Sequence, residues 1–369
     1  RETNPFYVAL QWSNRRNPSV GSTAYDLIAA DSDLTGRGDN LRVQYDIAAG
    51  SIGDPRLQGA DDFSLGYTIP LTAADTTLSI DFTRTNALVT QLPFTPLHIT
   101  SRTDSTSFTI RQPIYRRPVA ELATADHPAR PSMEIDLFGG MGLDDNTTSL
   151  LGQGFSFTPG QENGSGRATV LRFGQELTLS GQNDAVSARS TFSLGVPWFG
   201  STPDAVSGEA GGKYFAWLGQ AQYVRQVGKT DIQLVLRGAL QLADRPLLPV
   251  EQFSLGGIDS VRGYPENELV RDDGVTASAE LHIPVLHGTQ GIADVLTLVP
   301  FVDGGYGWNR SHGSAPAQAL ASVGLGLIYT PNAHLSGQIY YGVPLKNHAI
   351  TSRDPEDLGL HFDLIFVPF

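Results

Sequence analysis

Two short stretches of this sequence carry side chains equipped to act on one another. The first is Leu255-Gly256-Gly257-Ile258-Asp259-Ser260-Val261-Arg262-Gly263-Tyr264, with a single guanidinium among small residues. The second is Phe301-Val302-Asp303-Gly304-Gly305-Tyr306-Gly307, with a single carboxylate in an apolar and small run. An arginine presents a planar fork of donors that fits a carboxylate and can serve two acceptors at once. Glycines let a backbone bend sharply and approach another surface closely. The chemistry these residues support is an ion pair that fastens one segment to another.

Catalytic and metal-binding alternatives have less to stand on. The eight histidines are scattered, with no H-x-x-x-H or H-E-x-x-H set. Ser352 and His348 are close in sequence, but nothing marks an orienting partner for them. There is no G-x-S-x-G elbow and no phosphate-cradling loop, and Gly324-Leu325-Gly326 reads as a strand with small inward residues. The chain has no cysteine, which removes disulfides, thiolate metal sites and cysteine nucleophiles. No enzyme activity, no cofactor and no metal site are expected. A net charge of −13 argues against nucleic acid as a partner, since phosphates need a basic surface.

The elements that must position Arg262 and Asp303 read as strands. Phe6, Val8, Leu10 and Trp12 alternate with Tyr7, Ala9, Gln11 and Ser13, and Leu41, Val43, Tyr45 and Ile47 alternate with Arg42, Gln44 and Asp46. The same period of two recurs in Leu78–Phe82, Ala188–Val196, Ile232–Leu240 and Ala277–Ile283, and no stripe of period 3.6 competes with it. The pattern predicts about sixteen strands near 6–14, 20–30, 40–50, 61–70, 76–86, 104–114, 132–143, 168–180, 185–197, 213–226, 231–242, 275–285, 295–307, 318–329, 334–344 and 357–367. Short connectors (181–184, 228–229, 330–333) alternate with long ones rich in Gly, Pro, Asp and Asn (143–166, 198–212, 244–274). Short turns at one end and long loops at the other mark an outer-membrane barrel. A soluble sandwich also shows period two, but its strands are typically only ~5–6 residues long. Trp12, Tyr45, Phe82, Trp217, Tyr223, Tyr329 and Tyr341 suit interfacial girdles.

No apolar run approaches the ~18 residues of a membrane helix, which leaves a membrane barrel open. No linker or change of composition divides the chain, so residues 1–369 are read as one all-β domain, a transmembrane antiparallel barrel. There is no signal peptide and Phe6 already sits in a strand pattern, so the native protein is expected to be longer at its N-terminus. The last strand ends in Phe369, a terminal aromatic of the kind common in bacterial outer-membrane barrels, after a kink at Pro368.

The two stretches, about forty residues apart, resemble the outer-membrane transporters of two-partner secretion. These are of the haemolysin-activator and filamentous-haemagglutinin-transporter type, within the barrel-assembly superfamily. Gln112-Pro113-Ile114-Tyr115, Phe192-Ser193-Leu194-Gly195, Tyr223, Gln241-Leu242-Ala243-Asp244 and Leu269-Val270-Arg271-Asp272-Asp273-Gly274 are similar to that family in order and spacing. The resemblance covers the chain as the barrel portion. It implies a loop between strands eleven and twelve that tucks into the barrel, its Arg262 pairing with Asp303 on strand thirteen. It also implies an N-terminal helix and two periplasmic recruiting domains that this sequence does not include. The implied location is the bacterial outer membrane. The implied partners are a large secreted exoprotein, passed in extended form, and the lipid and lipopolysaccharide of that membrane.

Parity reaches the same pairing from the residues. Asp303 shares a face with Phe301 and Gly305, opposite the lipid-facing Val302, so its carboxylate points into the lumen. Leu234, Leu236, Leu281 and Ile283 face lipid with Val302, whereas Arg42, Gln44, Arg189, Gln233, Arg237, Gln241, Glu280 and His282 face the lumen. Arg262, in the Val261-Arg262-Gly263-Tyr264 loop, is expected to pair with Asp303, with Glu280 as second acceptor. Gly263, Gly304 and Gly305 are expected to let the loop backbone reach the wall. An even strand number puts both chain ends on the short-turn side, with strand one closing against the last strand. Rival readings are an insertase barrel of the same superfamily, a passive porin and an outer-membrane enzyme. The Arg-Gly-Tyr loop is shared by the insertase, a porin gives the loop no role, and no catalytic set for an enzyme is visible.

Overall fold

The computed structural model describes residues 5–49, 57–91, 93–118, 131–157, 161, 163–203, 209–288, 294–310, 315–346 and 354–368. Ser352, His348 and Phe369 lie outside them. Sixteen strands form the wall: β1 Phe6–Ser13, β2 Thr23–Asp31, β3 Asn40–Ala49, β4 Leu57–Pro70, β5 Thr77–Leu88, β6 Thr100–Arg117, β7 Ser132–Leu150 and β8 Ser165–Ser180 in the first half. The second half is β9 Asp184–Val196, β10 Phe215–Gln226, β11 Gln233–Ala243, β12 Asp273–His287, β13 Asp294–Trp308, β14 Gln318–Asn332, β15 Leu335–Pro344 and β16 Leu360–Phe366. Each strand pairs antiparallel with its neighbours in chain order, and β1 pairs with β16 as well as β2, so the sheet closes. Closure leaves no edge exposed and satisfies every ladder internally, as hydrocarbon demands. No helix among the described residues is long and apolar enough to cross a membrane.

Alternation sets the two faces. Leu10, Leu27, Tyr45, Phe173, Leu236, Leu281, Val302, Leu325, Tyr329 and Tyr341 are exposed, while Asp26, Asp136, Glu280, Asp303 and Asp363 are buried. In a barrel this is the expected inversion: apolar side chains meet lipid and polar ones meet each other inside. Across β12 and β13, Ala279 pairs with Val302 on the outside and Glu280 with Phe301 on the inside. Both chain ends lie on the side of the short turns 181–183, 227–232 and 333–334, opposite the long connections 197–214, 244–272 and 345–359.

Several strands exceed their sequence limits. β7 runs on through Asp144-Asp145-Asn146-Thr147-Thr148, residues read from sequence as a loop from Leu143 to Gly166, and pairs with β8 as far as Thr147↔Ser165. This ribbon is polar on both faces, so alternation gives no sign of it; ion pairs such as Arg167 Nε to Asp145 Oδ2 at 2.7 Å hold it instead. β16 is shorter than 357–367, and Leu358 falls in a turn before it.

Candidate functional site

The connection 244–272, between β11 and β12, enters the barrel. It is not structureless: a 3-10 turn at Pro249–Glu251 and a two-stranded ribbon, Phe253–Leu255 with Leu269–Arg271, stiffen it. Side chains fasten its base. Asp272 Oδ1 accepts from the Leu247 N–H and from Gln252 Nε2, both at 2.9 Å, and Asp272 Oδ2 accepts from the Arg310 N–H at 2.8 Å. Gln241 Nε2 donates to the carbonyls of Glu251 and Asp272 at 3.0 and 3.1 Å. Glu251 reaches Arg172 on β8 at 2.5 Å.

At the tip, Arg262 meets the inner wall. Its backbone N–H and Nε both donate to Asp303 Oδ2, at 3.0 and 2.8 Å, and Nη2 donates to Asp303 Oδ1 at 2.8 Å. Nη2 also reaches Ser278 Oγ at 3.1 Å, and Nη1 reaches Glu280 Oε1 at 2.8 Å. Glu280 is shared with Arg237 at 2.7 Å and His282 at 2.7 Å. The guanidinium carbon lies 3.7 Å from the centre of the Phe301 ring and 4.9 Å from that of Tyr340. Glycines make room for those rings. A Cβ on Gly324 would meet Phe301 Cζ at 2.4 Å, and one on Gly326 would meet the Tyr340 ring at 2.3 Å. Burial opposes the charge on Arg262, but Asp303 and Glu280 outweigh it and hold its pKa above the ordinary value.

The backbone beside Arg262 is pressed against the wall. Gly263 has φ +92, and a Cβ there would lie 2.9 Å from the Gly342 carbonyl carbon. Its N–H donates to His361 Nε2 at 3.2 Å. Tyr264 is fully buried; its hydroxyl donates to the Ala321 carbonyl at 3.0 Å and accepts from the Lys346 N–H at 3.1 Å. Val261, Tyr264, Leu255, Leu269 and Leu320 form an apolar cluster between loop and wall. The arrangement is a multipoint clamp that keeps a segment of chain inside the lumen.

A sequence profile of the haemolysin secretion/activation proteins ShlB/FhaC/HecB matches residues 162–329, a span that contains the inward loop, Arg262 and Asp303. That span, a little under half of the chain, is similar to this family of two-partner secretion transporters. Among curated relatives, outer membrane transporter CdiB of Dickeya dadantii is 28% identical over 48% of this chain and 31% of its own length. CdiB of Escherichia coli is 30% identical over 42% of this chain and 26% of its own length. The chain thus spans about a third or less of these relatives. The solved structure of CdiB from Escherichia coli superposes with a TM-score of 0.78 at 19% identity, covering all of this chain and 63% of that one. BamA from Haemophilus ducreyi lacking POTRA domains 1–3 superposes at 0.62 and 15% identity, covering all of this chain and 71% of that one. These likenesses are of fold. The chain is an outer-membrane β-barrel, the fold it shares with these solved structures.

Other residues singled out from sequence fall into place around the clamp or away from it. Arg42 and Gln44 lie on the inner wall of β3, 3.2 Å apart, with Gln44 Nε2 donating to Asp26 at 2.8 Å. Arg189 reaches Glu176 at 3.2 Å and lies over the Phe138 ring, remote from the loop tip. Gln233 is the register partner of His282 on the inner face. Gly304 does not serve the loop: it shares the outward parity of Val302, and a Cβ there would meet nothing within 4 Å. Gly305 does, since a Cβ there would meet Leu255 Cδ2 at 2.6 Å and Val261 Cγ2 at 3.1 Å. Sequence reasoning missed Ser278, Tyr340, Gly342 and His361. Ser278 was accessible from parity, being two residues from Glu280 and on the same face. His361, with Asp363 against the outward Phe362 and Leu364, was accessible from the same rule. Nothing in the sequence alone brings Gly342 to Gly263.

Proposed function

We propose that this barrel is the translocation pore through which a large partner exoprotein, of the haemolysin or adhesin type, leaves the cell. The observation that carries the proposal is the clamp. A loop of the long-loop side lies inside the barrel, held by Arg262 to Asp303 and Glu280, where a passive pore has no use for it. A barrel of sixteen strands is wide enough for an aqueous lumen, and its inner wall is polar. Such a wall suits an exoprotein passing in extended form, its backbone hydrated and its side chains in contact with polar neighbours in turn. The activity needs no catalytic set and no cofactor; folding of the exported chain at the cell surface would supply the drive. The apolar outer belt serves lipid, and the long connections meet lipopolysaccharide.

The fold likeness to BamA favours a second reading, an insertase that passes clients into the membrane. The two differ in where the client goes. Secretion of the cognate exoprotein, measured in the culture medium of a strain lacking this gene and complemented with it, tests the first reading. Restored export together with ion conductance in planar bilayers is expected. Unaltered export on deletion, with no conductance, would overturn it.

A further inference from the structure

Beside the Arg262 clamp, a second cluster joins the loop to the wall. Glu266 comes from the loop, Glu356 from the connection 345–359, and His361 from β16, with one donor atom of each within 4.8 Å of the other two. Glu356 and His361 are fully buried. The Glu266 N–H donates to Glu356 Oε2 at 3.2 Å, and Glu266 Oε1 accepts from the Ile258 N–H at 2.9 Å. Glu356 Oε1 and His361 Nδ1 are buried with no hydrogen-bond partner among the described residues. His361 Nε2 accepts the Gly263 N–H, so the neutral ring carries its own hydrogen on Nδ1. Neither nitrogen then keeps a free lone pair, which makes the trio a poor metal site.

The charges that the described residues bring to the cluster do not compensate it. Asp354 and Asp357 add negative charge from the connection 345–359, and Asp259 adds it from the loop. Among the described residues Arg15, from the connection between β1 and β2, is a cation that acts on Glu266, and it is bound to Asp259 and to Asp363. Arg262 faces His361 but is committed to Asp303 and Glu280. Burial pushes Glu266 up to about 7, with Asp259 adding to it, and holds Glu356 well above the ordinary carboxylate range, with Glu266 adding to it. A half-buried carboxylate beside a fully buried one is costly unless one of them is neutral.

We propose that Glu266 and Glu356 form a proton-held latch: with the loop inside the barrel they keep a proton between them, and its loss to solvent frees the loop tip from the wall. The docked state binds the extra proton and the undocked state, with solvated carboxylates, does not. Docking is therefore fully supported only below about pH 4.5, weakens as pH rises from there through about 7, and levels off above it.

Amide hydrogen exchange of the intact chain in detergent or bilayer tests this directly, corrected for the intrinsic pH dependence of exchange. Protection of residues 256–268 is expected to fall about tenfold between pH 6 and pH 9, while that of β6 and β7 stays constant. Glu266→Gln removes the group that titrates near 7 and should flatten that fall, and the double variant Glu266→Gln/Glu356→Gln, which imitates two neutral carboxyls, should abolish it; two variants guard against one failing to fold. A pH-independent loop, or glutamine variants that keep the wild-type pH response, would overturn the latch. So would release of the loop by a chelator at pH 6, which would mean that a metal ion holds the cluster. Exchange does not depend on export, so the latch and the secretion reading can fail separately.

Discussion

Removing Arg262 would leave two buried carboxylates, but not in equal difficulty. Glu280 keeps Arg237 and His282, whereas Asp303 loses every donor that Arg262 gives it, the Nε and Nη2 bonds outright and the backbone bond once the loop shifts. Breaking one side of a buried pair costs ~3–5 kcal/mol, because the survivor stays desolvated. Arg262→Ala and Asp303→Ala are each expected to abolish most export while the barrel still folds, judged by its heat-modifiable band on gels. The double variant should be little worse than either alone, since both remove the same contact. Glu280→Gln should be milder. Arg262→Lys should recover only part of the loss, because an ammonium cannot fork across Asp303 and reach Glu280 together. Gly263→Ala tests the backbone separately. Its φ of +92 and the 2.9 Å approach to Gly342 leave no room for a methyl group, so the loop should fail to dock although every charge is intact. Export at the wild-type level in that variant would mean that the close approach is unimportant.

At the scale of the strand, facing decides the energetics. Leu236 is exposed on the outer face and Gln233 lies on the inner one, three residues away on β11. Leu236→Arg should therefore cost ~2–4 kcal/mol, depending on depth, and Gln233→Arg far less. Urea unfolding midpoints of the protein refolded into bilayers would measure both; equal costs would contradict the register. Strands of this kind were legible because alternation between lipid and lumen writes a period of two into the sequence. The same rule places Asp303, Glu280 and Phe301 together on the inner wall. It also separates Gly305, which touches the loop, from Gly304, which does not; sequence reading had treated the two as one glycine step. Alternation fails where both faces meet water, as in the β7 extension at 144–150. It is equally silent about the ribbon inside the loop, where Phe253–Leu255 and Leu269–Arg271 are too short to show a period. Contacts such as Gly263 with Gly342, or Glu266 with Glu356, join segments whose separation in sequence no local pattern can bridge.

For the whole molecule, the question is whether the wall itself must open. Every strand is held by its neighbours in chain order except at the seam, where β1 meets β16. There the register runs only from Leu10↔Phe366 to Ser13↔Asp363, whereas β1 pairs with β2 from Phe6 to Ser13. Side chains reinforce the short seam. Gln11 Nε2 lies 3.0 Å from each Asp363 oxygen, Asn14 Nδ2 donates to the Leu360 carbonyl at 2.7 Å, and the rings of Trp12 and Phe362 stand 4.7 Å apart. A pore that sends its client through the lumen can keep this seam shut, but an insertase must release its client sideways and needs a gap in the wall. The chain has no cysteine, so Leu10→Cys with Phe366→Cys would give a single cross-link at the seam without disturbing Gln11 or Asn14. We expect the disulfide to form in air and export to proceed at the same rate whether it is oxidised or reduced, read by the exoprotein in the medium before and after a reductant. Export restored only by the reductant would mean that the seam opens during transport, and the lumen route would then have to give way to a lateral one.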